Sequence, residues 1–170
     1  MAEHVPITDK HEDIVTMGAN VVLRLLEKID GGPKRVTGLY GATESSFDNA
    51  KPFTTYIAGV VEQVYGRGST KHWDAQENKF ACVAGAQAIN NAVHHVASQR
   101  LRREDDVVLF IASDEAKYKD FPERFTDGAG AIGGIVKRRP GVLEAEIPIG
   151  NCLVDEDDFF KPLDASSGFD

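Results

Sequence analysis

From Ile14 onward, apolar residues return every three or four positions: Ile14, Met17, Val21, Val22, Leu25, Leu26 and Ile29. That spacing collects them on one face and predicts an amphipathic helix over residues 9–29. Asp9 and Glu12 have the three-residue spacing of a capping box, and "DGGP" at 30–33 ends the element. "RVTGLYGA" then reads as a short strand running into a turn. A second helical pattern covers residues 52–65, through Phe53, Tyr56, Ile57, Val60, Val61 and Val64. "GRGSTKHWDAQEN" reads as a polar connection and "KFACV" as a strand. Residues 84–99 predict a helix of small residues, with Ala84, Ala88, Ile89, Ala92, Val93 and Val96 on one side. The unbroken apolar run in "DVVLFIAS", residues 106–113, predicts a strand covered on both faces. "GAGAIGGIVKR" and "GVLEAEIPI" read as two more strands, and the acidic, aromatic "DEDDFFKPLDASSGFD" shows no periodicity.

The order α, β, α, β, α, β, β, β implies an α/β layer architecture with a largely parallel sheet. Residues 1–150 form one domain in this reading, and 151–170 an acidic tail or connection. No internal repeat interrupts it.

Composition narrows the function. The net charge of −8 argues against non-specific nucleic-acid or anionic-membrane binding, which favour a basic face. Local basic spots could still hold a phosphorylated ligand. No apolar run approaches the roughly 20 residues that span a bilayer. "MAEHVPITDKHED" has no apolar signal core, so the expected location is the cytoplasm. Cys82 and Cys152 are then expected as two thiols rather than a disulfide, and no Cys/His grouping has zinc-site spacing.

Two residues invite a chemical reading. Cys82 follows Ala81 and precedes Val83, Ala84 and Gly85, which open the small-residue helix. It is either a small buried packing residue or a nucleophile whose thiolate is favoured by a helix N-terminus. Glu44, in "GATESSFDNAKP", is either a solvated loop acid or a carboxylate at the carboxyl end of a strand, where α/β sheets present their sites. The G-x-G-x-x-G within "GAGAIGG" precedes a strand-like stretch, not a helix, so close backbone approach explains it better than dinucleotide binding. His94 and His95 read as surface or packing residues, "DEDD" at 155–158 as a solvated run, "QRLRRED" at 99–105 as a helix end with an exposed loop, and Cys152 as structural.

Taken in order, the blocks "HEDIVTMGANVV", "GATESSFDNAKP", "KFACVAGAQAINNAV", "LFIASDEAKY" and "FTDGAGAIGGIV" resemble 3-hydroxy-3-methylglutaryl-CoA synthase, of the thiolase-like condensing enzymes. The resemblance covers roughly residues 9–145. It rests on a Thr-Glu-Ser block, a cysteine opening a helix, and Ser-Asp-x-Ala-x-Tyr at these separations. It implies that Cys82 takes an acetyl group from acetyl-CoA and that Glu44 is the general acid/base. Glu44 would generate the enolate equivalent that attacks acetoacetyl-CoA, and water would release the product. Asp114, Tyr118, Ala81 and Thr126 would lie around the acyl site. No metal or redox cofactor is implied.

The resemblance further implies half of a thiolase-like fold, a mixed, mostly parallel sheet flanked by helices. The family's opening strand, taken as central in its sheet, would be absent. A second polypeptide would bring the catalytic histidine half, as a homo- or hetero-oligomer pairing through the strand near Cys82. The implied setting is the mevalonate route of isoprenoid biosynthesis. Two alternatives stand beside it: a synthase that makes β-branches on carrier-protein-bound chains, and an inactive fragment or binding half.

Overall fold

A computed structural model describes residues 6–98, 101–116, 128–139, 141–147 and 150. Helix α1 (Ile14–Leu26) leads into strand β1 (Val36–Ala42), helix α2 (Phe53–Tyr65), strand β2 (Asp74–Asn78), helix α3 (Ala84–Ala97) and strands β3 (Val107–Ala116) and β4 (Gly128–Val136). The strands lie in the order β2-β1-β3-β4. The first three are parallel and β4 is antiparallel to β3. This is the mixed, mostly parallel sheet with flanking helices that the resemblance implies.

Side-chain alternation explains why the central strands read as unbroken apolar runs. Leu39, Leu109 and Ile111 turn to one face, where Ile14, Val22 and Leu26 of α1 and Phe53, Ile57 and Val61 of α2 bury them. Tyr40, Ala42 and Val108 turn to the other, against Ala84, Ala88, Ala92 and Val96 of α3. A strand with helices on both faces has no polar side to show. The alanine stripe lets α3 settle close to the sheet. Gly41 has the same function on β1, since a Cβ there would lie 2.4 Å from the Thr54 side chain and 2.7 Å from the Phe53 ring. On β4 a Cβ at Gly133 would meet the Phe110 carbonyl at 2.7 Å, so the glycine-rich stretch serves close packing in a strand, as its context suggested.

Three of the predicted elements shift. The first helix begins at Ile14, not at residue 9, because Asp13 is its N-cap: Asp13 Oδ1 accepts from the Thr16 N–H at 2.7 Å, and Thr16 Oγ1 accepts from the Asp13 N–H at 2.8 Å. Asp9 and Glu12 do bond each other, with the Asp9 N–H 3.0 Å from Glu12 Oε2, but they build the turn before the helix. The helix also stops at Leu26, three residues short of the predicted end.

The strand expected at "KFACV" lies one step earlier, in the polar "DAQEN" of β2. Among the described residues β2 is an edge strand that pairs only with β1, from Gly38↔Asp74 to Ala42↔Asn78, and its half-exposed residues carry no apolar alternation. Polar bonds anchor it, among them Asn78 Nδ2 to the Gly41 carbonyl at 3.0 Å. In the third shift, residues 141–147 of the expected strand "GVLEAEIPI" lie in no strand.

The four strands follow one another without a break, β1 bonded directly to β3. A further strand could therefore join only at an edge, beyond β2 or β4, and not at the central place expected for the family's opening strand. No helix among the described residues is long and apolar enough to cross a membrane.

Candidate active site

Glu44 and Cys82 arrive from two adjacent strands. Glu44 sits in the turn that follows β1, and Cys82 in the turn that follows β2. Because β1 and β2 are parallel, both turns emerge at the carboxyl end of the sheet.

The Glu44 turn is held from below by β3. Asp114 Oδ1 accepts from Thr43 Oγ1 at 3.1 Å and from the Glu44 N–H at 3.1 Å. Ser45 Oγ lies 2.6 Å from the same oxygen and 2.8 Å from the Glu115 carbonyl, its one proton shared between two acceptors. One carboxylate oxygen thus gathers the whole Thr-Glu-Ser block. Farther along the same loop, Asp48 accepts from the Tyr56 hydroxyl at 2.6 Å and from the N–H groups of Ala50 and Lys51. The hydroxyl first, and then these amides, hold the Asp48 carboxyl down at about 2. This anchor was missed in the sequence, although Asp48 three residues before Lys51 is a common turn pattern.

Asp114 is accordingly a positioning residue for the backbone that carries Glu44. Its replacement by Ala strands the Thr43 hydroxyl and the Glu44 N–H and leaves Ser45 only the Glu115 carbonyl. We expect a loss of about 1–3 kcal/mol in urea unfolding, with a smaller loss for Asp114→Asn, which keeps an acceptor oxygen.

Cys82 is an exposed free thiol, not a buried packing residue. It precedes α3, whose N-cap is Val83. Ala81, just before it, holds φ at +42°, the only left-handed non-glycine backbone among the described residues. Such a conformation costs of order 1–3 kcal/mol and persists only where neighbours enforce it. The enforcing contacts are short: the Val83 N–H reaches the Phe80 carbonyl at 3.0 Å and the Ala84 N–H the Ala81 carbonyl at 3.2 Å. Asn78 braces the same end of β2, its Oδ1 accepting from Asn91 Nδ2 of α3 at 2.7 Å.

The Glu44 carboxylate accepts a hydrogen bond from the Cys82 thiol. That bond, then charge repulsion by Glu44, then burial, push the thiol above its ordinary value, with a smaller repulsion from Asp114. The backbone N–H of Cys82 works the other way and is outweighed. The helix start was expected to favour the thiolate. In this chain the adjacent carboxylate outweighs that effect and shifts the thiol upward.

The structure thus brings Cys82, Ala81, Glu44 and Asp114 to one end of the sheet. Tyr118, Thr126 and Cys152 lie outside the described residues. His95 is a packing residue, buried and bonded through Nε2 to Thr37 Oγ1 at 3.2 Å and through Nδ1 to the Tyr40 hydroxyl at 3.0 Å, while His94 is exposed.

The half-size, mostly parallel α/β sheet with flanking helices is that of one half of a thiolase-like fold. The profile of the family "Hydroxymethylglutaryl-coenzyme A synthase N terminal" matches residues 3–139, and the chain belongs to that family. It is 41% identical over 155 residues to the hydroxymethylglutaryl-CoA synthase of Haloferax volcanii, covering 91% of this chain and 34% of that protein. Against a Fusarium hydroxymethylglutaryl coenzyme A synthase, identity is 33% over 156 residues, 91% of this chain and 32% of that one. Among solved structures, MvaS in complex with 3-hydroxy-3-methylglutaryl coenzyme A superposes with a TM-score of 0.76 at 26% identity, over 93% of this chain and 36% of that chain. The curacin-pathway HMG synthase in complex with holo donor-ACP shares the fold, with a TM-score of 0.63 at 22% identity, over 78% of this chain and 32% of that chain. The chain spans about a third of the length of the curated relatives it matches.

Proposed function

We propose that this chain supplies the cysteine-bearing half of a hydroxymethylglutaryl-CoA synthase active site. Acetyl-CoA and acetoacetyl-CoA are its substrates, and acetyl-Cys82 is the intermediate. The observation that carries this reading is that the turns after the adjacent parallel strands β1 and β2 bring the Glu44 carboxylate and the exposed Cys82 thiol to the same end of the sheet. The Cys82 sulfur attacks the thioester carbonyl of acetyl-CoA. The carbon–sulfur bond to CoA breaks, and CoA leaves as a thiol with the proton from Cys82. Glu44 then takes a proton from the methyl group of acetyl-Cys82, made acidic by the thioester. The resulting carbanion equivalent bonds to the ketone carbon of acetoacetyl-CoA, whose oxygen gains a proton. Water cleaves the thioester to Cys82 and frees the product, so one water is consumed and one CoA released per turn.

The described residues leave two demands unmet. Glu44 pushes the Cys82 thiol upward, so a positive or proton-accepting group must be added to draw it toward the thiolate. The oxygen that gains charge in each step also needs donors. A second polypeptide carrying a histidine half meets both, and the edge of β2, next to Cys82, offers unpaired backbone for such an assembly. We take the acceptor to be CoA-bound because the relatives at 41% and 33% identity are named for the CoA reaction. On that reading we assign the chain to the mevalonate route. The exposed free thiol suits the reducing cytoplasm.

The test is condensation by the purified protein, together with every polypeptide whose intact mass shows it co-purifies. Release of CoA from acetyl-CoA should depend on added acetoacetyl-CoA and accompany formation of hydroxymethylglutaryl-CoA. Turnover only with carrier-bound acceptor would move the chain to the β-branching reaction. Absence of turnover in a preparation that contains a histidine-bearing partner would overturn the proposal.

A further inference from the structure

The opposite end of the sheet carries a second candidate site. The loops that precede the three parallel strands meet there: residues 31–35 before β1, 65–72 before β2, and 102–103 before β3. They line an open cavity of about 820 Å³, within the size range of small-molecule sites. Glu44 and Cys82 follow the other ends of these strands, so the cavity is separated from them by the length of the sheet.

Its lining is strongly cationic in an acidic chain. Lys34, Arg35, Arg67, Lys71, Arg102 and Arg103 line it, and no Asp or Glu does. These are six of the chain's 19 lysines and arginines, in a protein of net charge −8, so the concentration is a matter of placement and not of composition. Not all of that charge is free. Asp105 and Asp106 pair with the buried Arg35, and Asp106 with Arg102 at 3.5 Å. Glu62 lies close enough to feel Arg67. Lys34, Lys71 and Arg103 form no ion pair among the described residues.

The walls are tied to each other. Trp73 Nε1 donates to the Pro33 carbonyl at 2.9 Å, and Arg102 Nη2 to the Lys34 carbonyl at 2.7 Å. Thr70 Oγ1 donates to Glu62 Oε1 at 2.8 Å, fixing the loop that bears Arg67 and Lys71. A solvated basic face has no need of such cross-ties. Tyr65 adds an aromatic ring, 41% exposed, at the same cavity.

We propose that this cavity binds a small molecule through a polyphosphate group, with Lys34, Lys71 and Arg103 as the charge partners. The proposal is independent of the chemistry at Cys82. Compact ammonium and guanidinium groups on fixed walls are the donors that phosphate oxygens accept from most strongly.

The test titrates the purified protein with inorganic pyrophosphate and with ADP by calorimetry at constant ionic strength, with sulfate as the control anion. Saturable binding of pyrophosphate is expected, weakened at least about tenfold in Lys34→Gln/Lys71→Gln. Acetyl capture at Cys82 should be unchanged in that variant. If the double variant loses its circular dichroism, Arg103→Gln alone serves, with a severalfold loss expected. Tighter binding of ADP than of pyrophosphate, lost in Tyr65→Ala, would identify a nucleotide; equal binding would identify the bare polyphosphate. No saturable binding, unchanged affinity in the variants, or equal binding of sulfate would overturn the site.

Discussion

Acetyl-CoA labelled in its acetyl group should leave one label on Cys82 for each copy of this chain in the assembled protein, and Cys82→Ala should take up none. The label should be released by neutral hydroxylamine, as a thioester is, and should map to the peptide that contains Cys82. Geometry supports a complete loss rather than a partial one. The thiol is exposed, the strained Ala81 aims the turn, and no other nucleophile among the described residues shares the position. The pH dependence has a definite sign. In the chain without a partner, Glu44 raises the thiol pKa, so the thiolate fraction at neutral pH is smaller than for an ordinary cysteine, and capture there should speed up as pH rises past the ordinary thiol range. Label persisting in Cys82→Ala would sink the nucleophile assignment and leave a binding role for this chain.

The sequence showed the central layer well because burial on two faces leaves a plain signature. The runs around Leu39 and Leu109, and the helical spacing through Ile57 and Val61, follow from what those residues pack against. What it concealed was polar. β2 is a strand because β1 beside it offers a ladder, and "DAQEN" holds its place through Asp74 and Asn78 rather than through apolar alternation. The start of α1 was misplaced because two acid-based turns stand in tandem, and only Asp13 accepts from the helix's own N–H groups. At the site, the residue types of Cys82 and Glu44 were legible, but their interaction was not. Asp114 marks the same limit. It resembled a residue near the acyl group, and the structure makes it the anchor of the turn that carries Glu44.

Glu44 should separate the two half-reactions. In the assembled protein, Glu44→Ala should still capture acetyl on Cys82 but should lose condensation, with turnover falling by about 10²–10⁴, the usual worth of a positioned proton-transfer group. The same carboxylate predicts an opposite effect on the thiol. Glu44 both accepts the thiol proton and repels the thiolate, so Glu44→Gln, which removes the charge and keeps the shape, should lower the Cys82 pKa. Iodoacetamide alkylation followed against pH would show its inflection move down, and alkylation near neutral pH would become faster than in the unaltered protein. A cysteine that grows more reactive while condensation collapses is not what a damaged fold produces, since a displaced turn would slow capture and condensation together. If both steps fail in Glu44→Ala, and the alkylation profile does not move in Glu44→Gln, then Glu44 is a structural acid of the turn and another group takes the methyl proton.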